Sequence, residues 1–285
     1  PTKKPTMVTN LDQIKVSGED GKAPKVGEAW PLAIAKTESK VLKKGTGEKV
    51  DKNATLKVNY VGVNGRTGKE FDSSYKRGTT ADFPLAQVVP GFAKGLVGKH
   101  QGDRVLIMMP GSDGYDSQGG APQAGIMKGD SLIFVVDIVA IPLPKASGET
   151  VKPVAGLPTV KEVQGAPAVT IGKATKPNKL VVQPLIKGKG AAVTAHDSID
   201  VKYRTYAWSS GELIEDGYSG EPVTGSMNSV IPGWKKGLIG QTVGSRVMLI
   251  VPPADAYPNG STNPPVKKGE TLIYVIDILS AQKES

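Results

Sequence analysis

The chain has 285 residues, a length that sets an expectation of about two domains at roughly 100–200 residues each. Hydrophobic residues make up 38%, enough for ordinary cores, and Gly 35 with Pro 22 argue for turns and short strands against a helical bundle. The absence of cysteine excludes disulfides, thiolate nucleophiles and cysteine metal sites, and the lysines behind the net charge of +9 are dispersed, without the basic helix or aromatic-interleaved strand that marks nucleic-acid binding.

In chain order, residues 1–6 read as a disordered start. The run Pro1-Thr2-Lys3-Lys4-Pro5 resembles an internal point of a longer chain, so a targeting segment upstream is expected. Thr55 to Val61 alternates polar and apolar residues, as a half-buried strand does. Asn64-Gly65-Arg66-Thr67-Gly68 reads as a hairpin turn in which Asn-Gly supplies positive φ. A helix is expected just after Pro90-Gly91. It is short, and its internal glycines require something to pack very close. Arg104 to Met109 and Leu132 to Val139 are apolar runs of strand length. The loop Gly111-Ser112-Asp113-Gly114-Tyr115-Asp116 is acidic, but its spacing lacks the oxygen ligands and terminal Glu of a calcium loop, so no metal is expected. Pro142-Leu143-Pro144-Lys145-Ala146-Ser147-Gly148, with the Pro and Gly residues up to Pro158, reads as a semi-rigid linker.

The second half repeats the first at a nearly constant offset. Ala23-Pro24-Lys25-Val26 meets Ala166-Pro167-Ala168-Val169, Lys44-Gly45-Thr46-Gly47 meets Lys187-Gly188-Lys189-Gly190, and Tyr60 meets Tyr203. Val89-Pro90-Gly91-Phe92-Ala93-Lys94-Gly95-Leu96 meets Ile231-Pro232-Gly233-Trp234-Lys235-Lys236-Gly237-Leu238, and Leu132 to Ile138 meets Leu272 to Ile278. Duplication divides the chain into a start at 1–6, a first domain at 7–143, a Pro/Gly linker at 144–156 and a second domain at 157–285. The A-P-x-V match makes the segment before each core part of the repeat, as one or two extra strands. Many strands and one short helix per unit argue for an α+β domain with a sheet wrapped around the helix.

The run V-V-P-G-F-A-K-G-L-V-G, then G-D-R-V-L-I-M-M-P and L-I-F-V-V-D-I, resembles the FKBP family of peptidyl-prolyl isomerases. The second unit resembles it in V-I-P-G-W-K-K-G-L-I-G, R-V-M-L-I-V-P-P-A-D-A-Y and L-I-Y-V-I-D-I, and Asn64 to Tyr75 looks like the family's F-D-S-S segment. The resemblance implies two tandem domains, each an antiparallel sheet curled around one short helix with a shallow aromatic pocket between them. The tandem arrangement resembles exported actinobacterial FKBP-like lipoproteins, which implies an extracytoplasmic, lipid-anchored or secreted protein.

Carried over by position, the first pocket comprises Tyr60, Phe71, Asp72, Val88, Val89, Phe92, Tyr115, Ile126 and Phe134, with Arg77 near the aspartate. Phe92 stands where the family has Trp, and a family aromatic falls near Ala81, so one wall is missing or supplied from elsewhere. The second pocket comprises Tyr203, Ile214, Glu215, Val230, Ile231, Trp234, Tyr257, Val266 and Tyr274. It keeps the Trp, but Phe-Asp has become Ile214-Glu215. His100 and His196 do not correspond between the units and read as surface residues.

Isomerising an X–Pro bond breaks no bond, so the expected chemistry needs neither nucleophile nor cofactor. An apolar pocket favours the twisted amide, which has lost the charge separation of the planar one. The resemblance implies that Asp72, Tyr115 and Tyr60 act in catalysis and Phe71, Val88, Val89, Phe92, Ile126, Phe134 and Arg77 in substrate binding, with the Tyr115 hydroxyl and the Ile126 backbone N–H holding substrate carbonyls. The first unit is the expected catalyst. The expected partners are proline-containing polypeptides and macrolide inhibitors such as rapamycin. The alternative is a non-catalytic module or chaperone that holds proline segments. Taken alone, buried Phe, Val and Ile are core residues first.

Overall fold

A computed structural model describes residues 2–284. The chain divides between Ile141 and Pro142 into two units. In the first, one antiparallel sheet runs in the order Glu38–Lys43, Arg104–Met109, Leu132–Ala140, Thr55–Asn64, Glu70–Ser73, and Ala81–Pro84 also pairs with Thr55–Asn64. The helix Pro90–Leu96 lies on its inner face. Proline starts this helix at a position that has no intrahelical hydrogen bond to lose. Its glycines allow the predicted close approach: a Cβ on Gly95 would lie 2.7 Å from Ile107 Cδ1, and one on Gly91 would lie 2.5 Å from Met109 Sδ.

The apolar runs are apolar because both sheet faces are covered. Val105, Ile107, Met109, Leu132, Phe134 and Val136 face the helix, while Leu106, Met108, Ile133 and Val135 face the N-terminal segment. That segment places Val8, Leu11, Ile14, Leu32 and Ile34 on the outer face. It contains the parallel pair Thr6–Val8 with Leu32–Ile34, a one-turn 3-10 helix at Leu11–Gln13 capped by Asn10, and the hairpin Lys15–Ser17 with Lys25–Gly27. At about 1.5–3 kcal/mol per buried large aliphatic side chain, this cover contributes substantially to the unit.

The second unit repeats the plan. Its sheet order is Gly148–Thr150, Val181–Gly188, Arg246–Val251, Leu272–Lys283, Asp197–Ala207, Leu213–Asp216, with Val223–Ser226 also on Asp197–Ala207, and its helix is Pro232–Leu238. The hairpin Thr159–Val163 with Ala166–Thr170 covers the outer face, where Val160 and Val169 pack beside Met248, Ile250 and Ile273. The α+β tandem and the extra N-terminal strands of each unit are therefore present.

Four details correct the sequence reading. Thr6 already belongs to a strand and donates from its N–H to Pro31 O at 2.9 Å, so the expected disordered start at 1–6 is too long; Pro1 lies outside the described residues. The expected linker 144–156 contains Gly148–Thr150, an edge strand registered on Ile186 to Gly188, and the first unit ends at Ile141 rather than 143. The hairpin after Asn64 forms, but positive φ falls on Gly68, at +74°, rather than on the Asn-Gly pair. Unit one also has a second helix, Ser74–Arg77, capped by Ser73 and closed by Gly78 at φ +70°. His100 and His196 are exposed, as expected.

Candidate active site

In unit one, Tyr60, Phe71, Asp72, Val88, Val89, Phe92, Tyr115 and Phe134 line one cavity of about 260 Å³ together with Phe83 and Gln87. The aromatic rings form a continuous wall. Tyr60 lies 5.0 Å from Phe83, Phe83 4.7 Å from Phe92 and Phe92 4.5 Å from Phe134, while Phe71 meets Phe134 edge-on at 5.6 Å. Offset and edge contacts of this kind are favourable and hold the rings rigid.

Strand pairing places the polar groups. Gly62 stands opposite both Asp72 and Phe134 in the sheet, which brings the Glu70–Ser73 strand alongside Tyr60. Tyr60 OH donates to Asp72 Oδ2, and Arg77 Nη1 donates to Asp72 Oδ1. Arg77 also bonds Tyr60 OH at 3.3 Å, with its guanidinium 5.7 Å from the ring centre. The helix Ser74–Arg77 makes this possible, anchored by Tyr60 N donating to Ser74 Oγ at 2.8 Å. Burial first, and then the hydrogen bond to Asp72, push the Tyr60 hydroxyl up to about 12, so it remains a proton donor at neutral pH.

Tyr115 sits half-buried on a pinned loop. Asp113 accepts from Lys94 Nζ of the helix at 2.9 Å and from Thr37 Oγ1 at 2.6 Å, and Asp116 accepts from Gly129 N at 2.7 Å. The Thr37 bond, then Lys94, hold Asp113 below its ordinary range against the opposing effect of burial. Burial and the nearby Asp72 raise the Tyr115 hydroxyl. The acidic loop is thus a scaffold for Tyr115.

The Ile126 side chain, expected in the pocket, is not on the cavity wall. It is 2% exposed in the core, on a two-residue strand opposite Ala121. Arg77 reaches the cavity through Asp72 rather than lining it. The wall expected near Ala81 comes from Phe83, two residues on, which the sequence reading missed. The signal was the alternation in Ala81–Pro84, which puts residues 81 and 83 on the same inner face.

The second site gathers a different set. Tyr203 meets Trp234 at 4.9 Å and Trp234 meets Tyr274 at 5.5 Å, both edge-on. Ile214, Val230, Ile231 and Tyr257 pack against this core, and Val266 is buried in it. Glu215 accepts from Tyr203 OH at 3.0 Å and from Thr205 Oγ1 at 2.9 Å. Burial and Glu215 raise the Tyr203 hydroxyl. The register that places Phe83 opposite Leu56 places Gly225 opposite Ile199, so this unit lacks that aromatic wall. By the offset that relates Asp72 to Glu215, Gly220 falls at the sequence position of Arg77, on a stretch without the helix that carries Arg77 in unit one. Trp234 Nε1 is buried without a hydrogen-bond partner.

The FKBP-type peptidyl-prolyl cis-trans isomerase family matches residues 46–139 and again 189–279. A probable FK506-binding protein of Corynebacterium glutamicum is 32% identical over 117 residues, 40% of this chain and 98% of that protein. An FK506-binding protein of Streptomyces anulatus is 39% identical over 99 residues, 34% of this chain and 79% of that one. The crystal structure of FkpA from Escherichia coli is similar with a TM-score of 0.34 and 30% identity over 36% of this chain and 48% of that chain. This chain spans 56% of the Aeromonas hydrophila FkpA, to which it is 32% identical over 156 residues. With an aromatic cavity and a hydrogen-bonded carboxylate in one unit, a second aromatic site in the other, and the family match falling once on each, the chain belongs to the FKBP-type peptidyl-prolyl cis-trans isomerases, as a tandem of two FKBP domains.

Proposed function

We propose that unit one carries the turnover and that unit two holds proline-containing segments with slow turnover or none. One observation carries this reading: Asp72 is held from two sides, by Tyr60 and Arg77, on the wall of an aromatic cavity, whereas Glu215 is drawn onto Tyr203 and Thr205 with no arginine. The planar amide resists twisting by roughly 18–20 kcal/mol because resonance separates charge between oxygen and nitrogen. A cavity walled by Phe71, Phe83, Phe92 and Phe134 disfavours that separation and so favours the twisted form. Asp72, fixed by its partners, faces the amide without reorganising. Tyr115 brings a hydroxyl to the same wall for a substrate carbonyl.

A protease-coupled prolyl-peptide assay tests the division. Loss of rate in Asp72→Ala with retention in Tyr257→Phe supports it, and the reverse pattern assigns catalysis to unit two. The same cavity is proposed to accept macrolides such as rapamycin, and competition by rapamycin in that assay checks this. An extracytoplasmic, lipid-anchored setting is also proposed. Its support is the resemblance to exported tandem proteins, and detection of the native protein in the cytosolic fraction alone would overturn it.

A further inference from the structure

Resting on the reading that unit two is a binding site, we infer that this site selects proline segments that carry a lysine or arginine beside the proline. The two carboxylates differ in compensation. Asp72 is paired with the Arg77 guanidinium, so the rim of the first cavity is close to neutral. Among the described residues Glu215 is held by neutral hydroxyls, Tyr203 at 3.0 Å and Thr205 at 2.9 Å, and makes no ion pair. Its charge therefore has no cationic partner beside the aromatic cluster of Tyr203, Trp234 and Tyr274.

The surrounding rings reinforce the sign. Tyr203, Trp234 and Tyr274 contact one another at 4.9–6.2 Å, and Tyr257 packs against the same cluster. Ring faces are negative, so an aromatic cluster flanked by a carboxylate attracts a cation. Unit one offers Phe71, Phe83, Phe92 and Phe134 at its cavity, with Arg77 itself over the Tyr60 ring. Its cation position is already filled by its own arginine. The exposed Lys235, Lys267 and Lys268, next in sequence to Trp234 and Val266, do not pair with Glu215, and they oppose cation binding through screened repulsion.

The test uses the whole chain and the Trp234 indole N–H resonance, assigned by Trp234→Phe, titrated with blocked Lys-Pro, Ala-Pro and Glu-Pro peptides. The Lys-Pro peptide is expected to bind about tenfold more tightly than Ala-Pro, about 1.4 kcal/mol, with Glu-Pro weakest. The gap narrows as salt rises from about 0.02 to 0.5 M. Glu215→Gln brings the ratio of Lys-Pro to Ala-Pro affinity to near one. Gly220→Arg, which adds a cation at the sequence position of Arg77, lowers the ratio as well, at an exposed position where an added Cβ meets nothing within 4 Å. Equal binding of Ala-Pro and Lys-Pro in the native chain overturns the inference and leaves the binding reading intact, as does a ratio untouched by both variants. If no peptide moves the Trp234 resonance, the binding reading itself falls, and the inference with it.

Discussion

Gly62 and Thr205 occupy the same sheet position in the two units, each opposite the aromatic of the central strand and opposite the carboxylate residue of the next, Phe134 and Asp72 in one case and Tyr274 and Glu215 in the other. A Cβ on Gly62 would lie 2.6 Å from Phe71 Cζ and 2.8 Å from Phe134 Cε1. Unit two has Ile214 in place of Phe71, which leaves room for the threonine whose hydroxyl holds Glu215. Gly62→Thr should therefore push Phe71 and Phe134 apart, lower stability by about 1–3 kcal/mol and abolish most isomerase activity. Thermal melts and the coupled assay on the variant check this. A native melting temperature with full activity would show that Phe71 can move aside at no cost.

Arg77 separates a catalytic effect from a structural one. Its ion pair with Asp72 is partly exposed, with side chains 45% and 37% accessible, so its contribution to folding is at most about 1 kcal/mol. Its effect on the carboxylate's position and charge is direct. Arg77→Leu is expected to lower kcat/KM by about 5- to 50-fold while the melting temperature stays within a few degrees. Equal kcat/KM for variant and native chain would remove Arg77 from the mechanism.

What could be read from the sequence follows from which signals are side-chain signals. The covered sheet strands announce themselves as apolar runs, and the glycines of Pro90–Leu96 announce the close approach to Ile107 and Met109. Tyr60, Asp72, Phe92 and Tyr115 were placed at one site by motif order, and the fold brings them together. The strand Gly148–Thr150 was missed because its residues are all exposed and it is held by backbone pairing alone, which leaves no pattern in the sequence. The helix Ser74–Arg77 was missed because four polar-leaning residues carry no period, although it is this turn that delivers Arg77. Phe83 was missed by two positions because no motif fixes the length of the segment before Ala81–Pro84.

The Tyr60 hydroxyl, pushed up to about 12 by burial and by Asp72, links the site to alkaline stability. In the unfolded chain this proton leaves near the ordinary tyrosine value of about 10. The folded state therefore holds a proton that the unfolded state releases between about pH 10 and 12. The stability it contributes is complete below pH 10 and is lost as pH rises toward 12. Tyr60→Phe has no such proton, so its urea midpoint should fall less steeply than the native one from about pH 10 to 12. Parallel slopes would mean that Tyr60 already titrates at an ordinary value in the folded chain. Below pH 10 the native kcat/KM should show no alkaline loss traceable to this hydroxyl.

The boundary itself gives the last expectation. Cutting between Ile141 and Pro142 divides the chain where its two units meet in sequence, and each fragment keeps a complete core. The residues just after the cut belong to unit two: Leu143 N donates to Leu279 O, Ser147 N to Gly244 O and Val151 N to Leu185 O, each at 2.9 Å. A fragment starting at residue 157 loses these bonds and the Gly148–Thr150 strand, and it bares the backbone of Leu185–Gly188 as new sheet edge. At about 0.5–1.5 kcal/mol per bond, partly replaced by water, the net loss is about 1–3 kcal/mol. The 157–285 fragment is expected to melt about 4–12 °C below the 142–285 fragment and to self-associate at concentrations where the longer one is monomeric. Calorimetry and sedimentation of the two fragments check both points. Identical melting and identical mass would mean that residues 142–156 are a tether after all, and that the edge pairing adds nothing to the unit it borders.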